Sequence, residues 1–203
     1  MVEQVRPVLA RAQELGFIGP GAVDEHAEHS RALVDLLGPP QGSFLDLGSG
    51  GGLPGLILAL RWPEARGVLL DAGRRRGEHL EEACQELGLA DRVTVVAARA
   101  EDAARDSRWR GWADLVVARA FASPPVTAEC AVGFLRPGGQ LVVSEPPGGD
   151  PSRWDPAGLA LLGLDGPEVV RGRGASAARF VLSGGSDERW PRRTGVPTRR
   201  PLW

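Results

Sequence analysis

The chain contains no lysine and no tyrosine, and it has only two cysteines. Cys84 and Cys130 cannot form the disulfide framework of a small secreted protein, so we expect reduced thiols and a cytoplasmic protein. No apolar run approaches the roughly 18 residues of a membrane span, and the N-terminal sequence lacks the apolar core of a signal peptide. These absences exclude disulfide-stabilised and membrane-spanning classes, and they predict a protein with no membrane partner.

Positive charge is carried by arginine alone and is unevenly distributed. The chain has 24 basic and 26 acidic residues and a net charge of -2. This charge does not support the hypothesis of a protein that coats nucleic acid. Residues 1–170 hold 16 arginines and 24 acidic residues, a net of -8, whereas residues 171–203 hold 8 and 2, a net of +6. Two interpretations of the basic end stay open: a solvated terminus, or an arm that binds phosphate.

The 203 residues, 42% of them hydrophobic, suit one domain of ordinary size. Apolar residues spaced by three and four predict two helices within residues 1–38. Short apolar runs then alternate with helical stretches, which indicates a parallel sheet covered on both faces. We predict strands at 43–47, 67–71, 92–98, 113–119 and 140–144, and helices at 53–60, 75–87, 125–135 and 157–163. An antiparallel pair at 168–172 and 178–184 would close the sheet.

A glycine-rich segment, DLGSGGGLPG (46–55), follows the first predicted strand. Ligands bind open α/β sheets outside the carboxyl ends of the strands, and glycines let a ligand approach the backbone closely. Gly50, Gly52 and Gly55 match the G-x-G-x-x-G pattern of dinucleotide sites. Asp46, Gly48, Gly50 and Gly52 match the D-x-G-x-G-x-G loop of S-adenosylmethionine (SAM) methyltransferases. Asp46 favours the second class, because a carboxylate would repel a pyrophosphate; a tight turn without ligand is the third possibility.

Acidic residues follow the second and third predicted strands. Asp71 ends the second strand, where a carboxylate can accept hydrogen bonds from ribose hydroxyls. Both cofactor classes carry a ribose, so Asp71 does not separate them, and it could simply cap the next helix. Glu101 could accept a hydrogen bond from an adenine amino group, or cap a short helix.

Four segments together resemble one family, the bacterial small-subunit ribosomal RNA guanine-N7 methyltransferases known as RsmG or GidB. The glycine segment is one of them, but many methyltransferases share it. The others are the triplet Arg99-Ala100-Glu101, the run ARAFAS at 118–123, and the tail WPRRxGVP at 190–197, which continues to RPL at 200–202. The resemblance covers about residues 29–203.

This resemblance implies a Rossmann-like class I methyltransferase: an α/β fold with a mostly parallel seven-stranded sheet and helices on both faces. It implies an N-terminal helical extension (1–38), a SAM-binding domain (39–185) and a basic tail (186–203). It also implies a monomer that takes SAM as cofactor and transfers its methyl group to guanine N7 of 16S ribosomal RNA, in the small subunit or as free RNA. Guanine N7 has a lone pair and no proton to lose, so proximity and orientation supply most of the rate and no general base is needed.

The resemblance also assigns residues. Arg119 would lie between cofactor and target base as the catalytic residue, and the tail would bind RNA. The implied cofactor residues are Asp46, Gly48, Ser49, Gly50, Gly52, Leu53, Asp71, Ala72, Ala100, Glu101 and Arg119. The implied RNA-binding residues are Arg192, Arg193, Arg199 and Arg200.

Departures from the family pattern leave other functions open. Glu145-Pro146-Pro147-Gly148 stands where the family has a lysine-glycine pair, and an N-terminal family motif is missing. These departures favour a relative that methylates another RNA or a small molecule, or a non-catalytic ribosome- or RNA-binding relative. The alternative hypothesis of a dinucleotide-dependent oxidoreductase rests only on the G-x-G-x-x-G match. His26 and His29 lack the H-E-x-x-H spacing of a zinc site, so we predict no metal.

Overall fold

A computed structural model of the chain describes residues 1–39, 42–146 and 148–203. Helices and strands alternate through most of the chain. The helices are α1 (Val2–Glu14), α2 (Val23–Asp35), α3 (Gly55–Arg61), α4 (Arg74–Glu86), α5 (Ala100–Ala103), α6 (Pro124–Val132), α7 (Pro156–Leu162) and α8 (Val196–Arg199), with a 3-10 turn at Pro151–Arg153. The strands are β1 (Ser43–Leu47), β2 (Arg66–Asp71), β3 (Val93–Ala97), β4 (Ala113–Ala118), β5 (Leu135–Glu145), β6 (Leu164–Gly172) and β7 (Ala175–Leu182).

The seven strands form one sheet in the order β3-β2-β1-β4-β5-β7-β6. Strands β1 to β5 pair in parallel, and β7 lies antiparallel to both β5 and β6. The predicted mostly parallel sheet with a closing antiparallel pair is therefore confirmed. The chain moves outward from β1 to β3 and then returns to place β4 on the other side of β1. That reversal opens a crevice at the carboxyl ends of the strands, which positions a site there.

Two apolar cores cover the two faces of the sheet. One packs α1, α2, α3 and α4 on residues such as Phe44 and Leu69. The other packs α6, α7 and the segment around Trp190 on residues such as Leu45 and Leu70. Since successive strand side chains point to opposite faces, Asp46 shares the Phe44 face and lies under α3.

Several predicted boundaries were wrong. Strands β6 and β7 begin earlier than predicted, at Leu164 and Ala175 and not at 168 and 178, and two helix boundaries differ near proline. Helix α3 begins at Gly55 and not at 53, because Pro54 is its N-cap residue. Helix α6 ends at Val132 and not at 135, and β5 already begins at Leu135. The segment Pro137-Gly138-Gly139 lies at an irregularity in the β4–β5 register and does not separate a helix from a strand. Proline is tolerated in a strand at such a bulge. Within the Glu145–Gly148 segment, Pro147 lies outside the described residues.

The basic tail is packed onto the domain. Trp190 is buried, and its Nε1 donates to the carbonyl of Leu161 at 3.1 Å. The Arg110 guanidinium donates to the carbonyls of Trp190 and Asp187, each at 3.0 Å. Hydrogen bonds to backbone carbonyls fix the path of the segment, so residues 190–203 form a folded layer beside α6 and α7. Among the described residues, no helix combines the length and apolar content that crossing a membrane requires.

Packing of β2 against β1 gives a prediction on stability. A Cβ on Gly67 would overlap the ring of Phe44, whereas a Cβ on Gly184 would meet nothing within 4 Å. We expect Gly67→Ala to lower the free energy of unfolding by about 1–3 kcal/mol because the core is overpacked. Urea denaturation of Gly67→Ala and of the control Gly184→Ala measures this. Equal midpoints for the two variants would contradict the packing described for β1 and β2.

Candidate functional site

A cavity of about 510 Å³ opens at the carboxyl ends of the parallel strands. Its wall is built by the segments that follow β1, β2, β3 and β4, by residues 17–19 between α1 and α2, and by Thr198 of the tail. This is the position that the reversal of strand order predicts for a ligand site in an open α/β sheet. The volume is in the ordinary range for a small-molecule or cofactor pocket.

The glycine loop after β1 is fastened to the end of β2. The backbone N–H groups of Gly48 and Ser49 both donate to the Leu70 carbonyl at 2.9 Å. Gly48 has a φ of 77°, which favours glycine, and a Cβ there would lie 2.5 Å from the Phe121 ring. The absence of a side chain at Gly48 therefore lets the Phe121 ring pack directly on the loop backbone at the cavity wall.

Asp71 joins the loop to the start of α4. Its Oδ2 accepts from the Gly50 N–H at 3.0 Å, and its Oδ1 accepts from the Gly73 N–H at 2.8 Å. The carboxylate is 7% exposed and lines the cavity. A carboxylate has about four lone-pair positions, and two are used here. Asp71 can therefore accept two further hydrogen bonds from a ligand.

Glu101 forms a second acidic position in the wall, at the start of α5. It is 2% exposed, and its Oε1 accepts from the Gly195 N–H at 2.8 Å and from Arg99 Nη2 at 3.2 Å. Burial raises the pKa of Glu101, but these hydrogen bonds outweigh burial, so its pKa lies below the usual value. Both described side-chain acceptor contacts fall on Oε1, which leaves Oε2 for a ligand donor.

Arg119 follows β4 and connects the cavity to the N-terminal helices. Its guanidinium donates to the His26 carbonyl at 3.1 Å and to the Ser30 hydroxyl. The next residue, Ala120, has a φ of 53°, a left-handed conformation that is uncommon for a residue with a side chain. Backbone strain of this kind clusters at functional sites. Arg119 lines the cavity, and α2 holds it in place.

Two of the predicted cofactor residues, Asp46 and Gly52, are not part of the cavity wall. Asp46 is fully buried, and its Oδ2 accepts from the Gly55 N–H at 3.0 Å, whereas Oδ1 has no partner within the described residues. Burial raises the pKa of Asp46 to about 7, opposed in part by the Gly55 hydrogen bond. Asp46 thus holds the first residue of α3 in place through the hydrogen bond from the Gly55 N–H.

The segment between α1 and α2 covers the glycine loop, which the sequence did not predict. A Cβ on Gly51 would lie 2.5 Å from Ile18 Cγ1, and the Phe17 carbonyl lies 3.5 Å from where a Cβ on Gly50 would be. The Arg75 and Arg76 guanidinium carbons lie 6.0 and 5.9 Å from the Phe17 ring centroid. No motif marks Phe17 and Ile18 in the sequence, because their role depends on contacts with residues more than 30 positions away.

The structure brings most of the predicted cofactor residues together. Those that line the cavity are Gly48, Ser49, Gly50, Leu53, Asp71, Ala72, Ala100, Glu101 and Arg119. Cys130, which no sequence motif marks as a site residue, is buried in the core and also borders the cavity, and burial raises the pKa of its thiol. No cluster of three or more histidine, cysteine or acidic side chains that could hold a metal occurs among residues 1–39, 42–146 and 148–203.

The four predicted RNA-binding arginines lie on the tail, outside the cavity wall. Arg193, Arg199 and Arg200 are exposed. Arg192 is instead paired with Glu129, which is fully buried, through contacts of 2.6 to 2.9 Å.

Burial of Asp46 gives a prediction on pH dependence. Because its pKa in the folded chain lies above that of the unfolded chain, the folded state retains a proton at pH values where the unfolded state has lost it. The resulting stability is fully present below about pH 4 and is lost as the pH rises through about 7. We expect wild type to lose about 1–4 kcal/mol relative to Asp46→Asn between pH 5 and pH 8.

Urea titrations at several pH values measure this difference, with the exposed Asp91→Asn as the control that follows wild type. If wild type and Asp46→Asn keep a constant difference from pH 5 to pH 8, then Asp46 does not titrate as described.

The chain is similar to known proteins over most of its length. The family model described as rRNA small subunit methyltransferase G matches residues 21–145. A curated relative of that name from Rubrobacter xylanophilus is 39% identical over 173 residues, which cover 79% of this chain and 65% of the relative. One from Parasynechococcus marenigrum is 35% identical and covers 83% of this chain and 71% of the relative. The chain thus spans about two thirds of the length of the curated relatives it matches.

Solved structures at lower identity show the same fold. The O-methyltransferase TomG from Streptomyces achromogenes aligns with a TM-score of 0.59 and 22% identity over 90% of each chain. The fibrillarin pre-rRNA processing protein of Methanococcus jannaschii aligns with a TM-score of 0.58 and 15% identity over 79% of this chain and 76% of its own. The predicted Rossmann-like methyltransferase fold is confirmed, and the chain belongs to the rRNA small subunit methyltransferase G family.

Proposed function

We propose that the protein transfers a methyl group from SAM to guanine N7 of small-subunit ribosomal RNA. One observation carries this proposal: two buried carboxylates, Asp71 and Glu101, line a single cavity together with the glycine loop. A ribose, an adenine and a charged amino-acid end require such acceptors in one pocket. Family membership gives the class of acceptor, since the relatives are named as ribosomal RNA methyltransferases.

The residues present fit SAM. Asp71 has lone pairs left for the two ribose hydroxyls, and Glu101 Oε2 can accept from the adenine amino group. The backbone of Gly48 and Gly50 can approach the amino-acid end closely. Asp46 supports the loop through the Gly55 N–H. SAM, when bound, supplies a methyl group activated by a sulfonium.

The cavity suits an acceptor atom that has no proton to lose. The remaining acceptor positions of Asp71 and Glu101 are the ones assigned to the ribose and the adenine, and burial raises the pKa of the Cys130 thiol, so that it stays protonated. Among the described residues that line the cavity, none is placed as a free general base. Guanine N7 carries an available lone pair, so the task of the protein is alignment. We assign Arg119 to orienting the target base, with His26 and Ser30 fixing its guanidinium.

The tail supplies a basic surface for RNA. Arg193, Arg199 and Arg200 are exposed on the segment that contributes Thr198 to the cavity wall. Phosphate groups of RNA bind arginine strongly, so these side chains can hold the backbone beside the target base. Glu145 does not oppose this: its oxygens accept from Arg153 Nη1 and Trp154 Nε1, each at 2.9 Å. The negative charge that replaces the family lysine is therefore neutralised within the domain.

The cofactor assignment predicts the effect of Asp71→Ala. We expect it to weaken SAM binding by about 1–3 kcal/mol, because two ribose hydroxyls lose their acceptor and the Gly50 N–H loses its partner. Isothermal titration calorimetry with SAM measures the change, and Asp91→Ala is the matched control with an exposed aspartate. Titration with NAD(H) serves as a second control. No heat with SAM, or heat only with NAD(H), would refute a SAM-dependent methyltransferase.

The substrate assignment predicts methyl transfer to small ribosomal subunits. Subunits from a strain that lacks the family enzyme should accept radiolabelled methyl from SAM at one guanine, mapped as N7-methylguanine. We expect Arg199→Gln with Arg200→Gln to raise the KM for subunits and to reduce the logarithmic salt slope of RNA binding by about 1–2. The control pair, Arg61→Gln with Arg66→Gln, removes two exposed arginines near the amino end of β2, on the side of the sheet away from the cavity.

Equal salt slopes for the two double variants would remove the tail from the RNA surface. Labelling of a small molecule or of another RNA in place of the subunit would replace the proposed substrate.

A further inference from the structure

The basic tail forms part of the wall at the Glu101 end of the cavity. The Gly195 N–H donates to Glu101 Oε1 at 2.8 Å across 94 positions of sequence, and Thr198 lines the cavity. The Thr194 hydroxyl donates to Asp102, the residue after Glu101. Glu101 is therefore oriented by the tail as well as by its own helix.

The tail is held at this place by one buried ion pair. Glu129 of α6 is fully buried, and Arg192 gives it three hydrogen bonds, from the backbone N–H at 2.9 Å, from Nε at 2.8 Å and from Nη2 at 2.6 Å. Arg192 Nη2 also donates to the Arg200 carbonyl at 2.7 Å, which closes the tail on itself. A guanidinium has this forked geometry and a lysine ammonium does not.

A second arginine links the tail to Glu101 from the domain side. Arg105 Nη1 donates to the Arg192 carbonyl at 3.1 Å and to the Glu101 carbonyl at 3.3 Å. The path from Glu129 to Glu101 thus runs through the Arg192 ion pair, a short stretch of tail backbone and the Gly195 hydrogen bond. Two residues of tail separate Arg192 from the N–H that orients Glu101.

We propose that Arg192 is a positioning residue for nucleobase recognition: its fork on Glu129 sets the Gly195 N–H that aims Glu101 at the cofactor base. This inference rests on the proposed function, since it assumes that the base in question is the adenine of SAM. It assigns Arg192 to the cofactor side of the site, although the sequence pattern groups it with the RNA-binding arginines. Glu101 accepts a hydrogen bond from an amino group and repels a carbonyl oxygen at the same place.

Base discrimination is the property that this role controls. S-adenosylhomocysteine and its inosine counterpart differ at C6, where a carbonyl oxygen replaces the amino group, and at the neighbouring N1, which carries a proton only in the inosine compound. A correctly aimed Glu101 carboxylate should make wild type bind the adenosine compound about 10- to 100-fold more tightly, the value of a hydrogen bond to a charged group. A purely structural role for Arg192 would weaken both ligands equally and leave this ratio unchanged.

The experiment is calorimetric titration of both compounds into the full chain. We expect Arg192→Gln to bring the affinity ratio to within about threefold of unity, and Arg192→Lys to give an intermediate ratio, because lysine keeps the charge but loses the fork. Arg189→Gln is the matched control, since Arg189 is an exposed tail arginine over Trp190; it should keep the wild-type ratio. Circular dichroism and thermal unfolding establish that each variant is folded.

Removing Arg192 leaves the buried Glu129 without its partner and destabilises the domain. If Arg192→Gln does not fold, Arg192→Lys decides, because it keeps a positive charge beside Glu129 and loses only the fork. A wild-type ratio in folded Arg192→Gln, or in Arg192→Lys where Arg192→Gln does not fold, overturns the positioning role and leaves the proposed function intact. If wild type binds neither compound, the proposed function itself fails.

Discussion

The attachment of the glycine loop to the end of β2 is the contact on which the rest of the site depends. The Leu70 carbonyl takes two N–H groups of the loop, and Asp71 takes a third from Gly50. These bonds turn the chain sharply after β1 and hold its backbone at the carboxyl ends of the strands. Because β1 lies between β2 and β4, the segments after β2, β3 and β4 then meet around the loop and enclose one cavity. A loop free of β2 would leave Asp71 and Glu101 without a shared pocket.

Much of the uneven charge in the sequence is used inside the protein. The acidic body and the basic tail attract each other, and the buried Glu129–Arg192 pair lies at their contact. Such a pair offsets its desolvation only when the geometry is good and the remaining donors are bonded. Here the fork and the Arg200 carbonyl meet that condition. The near-neutral total charge thus combines two kinds of tail arginine. One is paired with the acidic body, and the others remain exposed as a basic surface.

Local pattern was enough to predict that each strand exists and where the first four strands end, although β5, β6 and β7 begin earlier than predicted. Asp71 and Glu101 could be found because a buried apolar run fixes where each strand stops, and the sheet edge follows. The burial of Asp46 was not foreseen, although its place beside Phe44 follows from alternation along β1. Phe17, the Gly195 contact and the fork of Arg192 could not be predicted, since each depends on a partner more than 30 positions away. Pro137 misled the prediction because proline marks both helix ends and strand bulges.

Both ends of the chain converge on the same edge of the sheet. At one end, α2 holds Arg119 through His26 and Ser30, beside the strained Ala120. At the other, the tail holds Glu101 through Gly195. A ligand that binds the folded cavity and not the unfolded chain stabilises every contact that completes the cavity. Cofactor binding is therefore coupled to the docking of both terminal segments, and the exposed tail arginines are placed most firmly when the cofactor site is filled. This coupling is reciprocal, so under the proposed function contacts of the tail arginines with RNA would in turn favour the filled cofactor site.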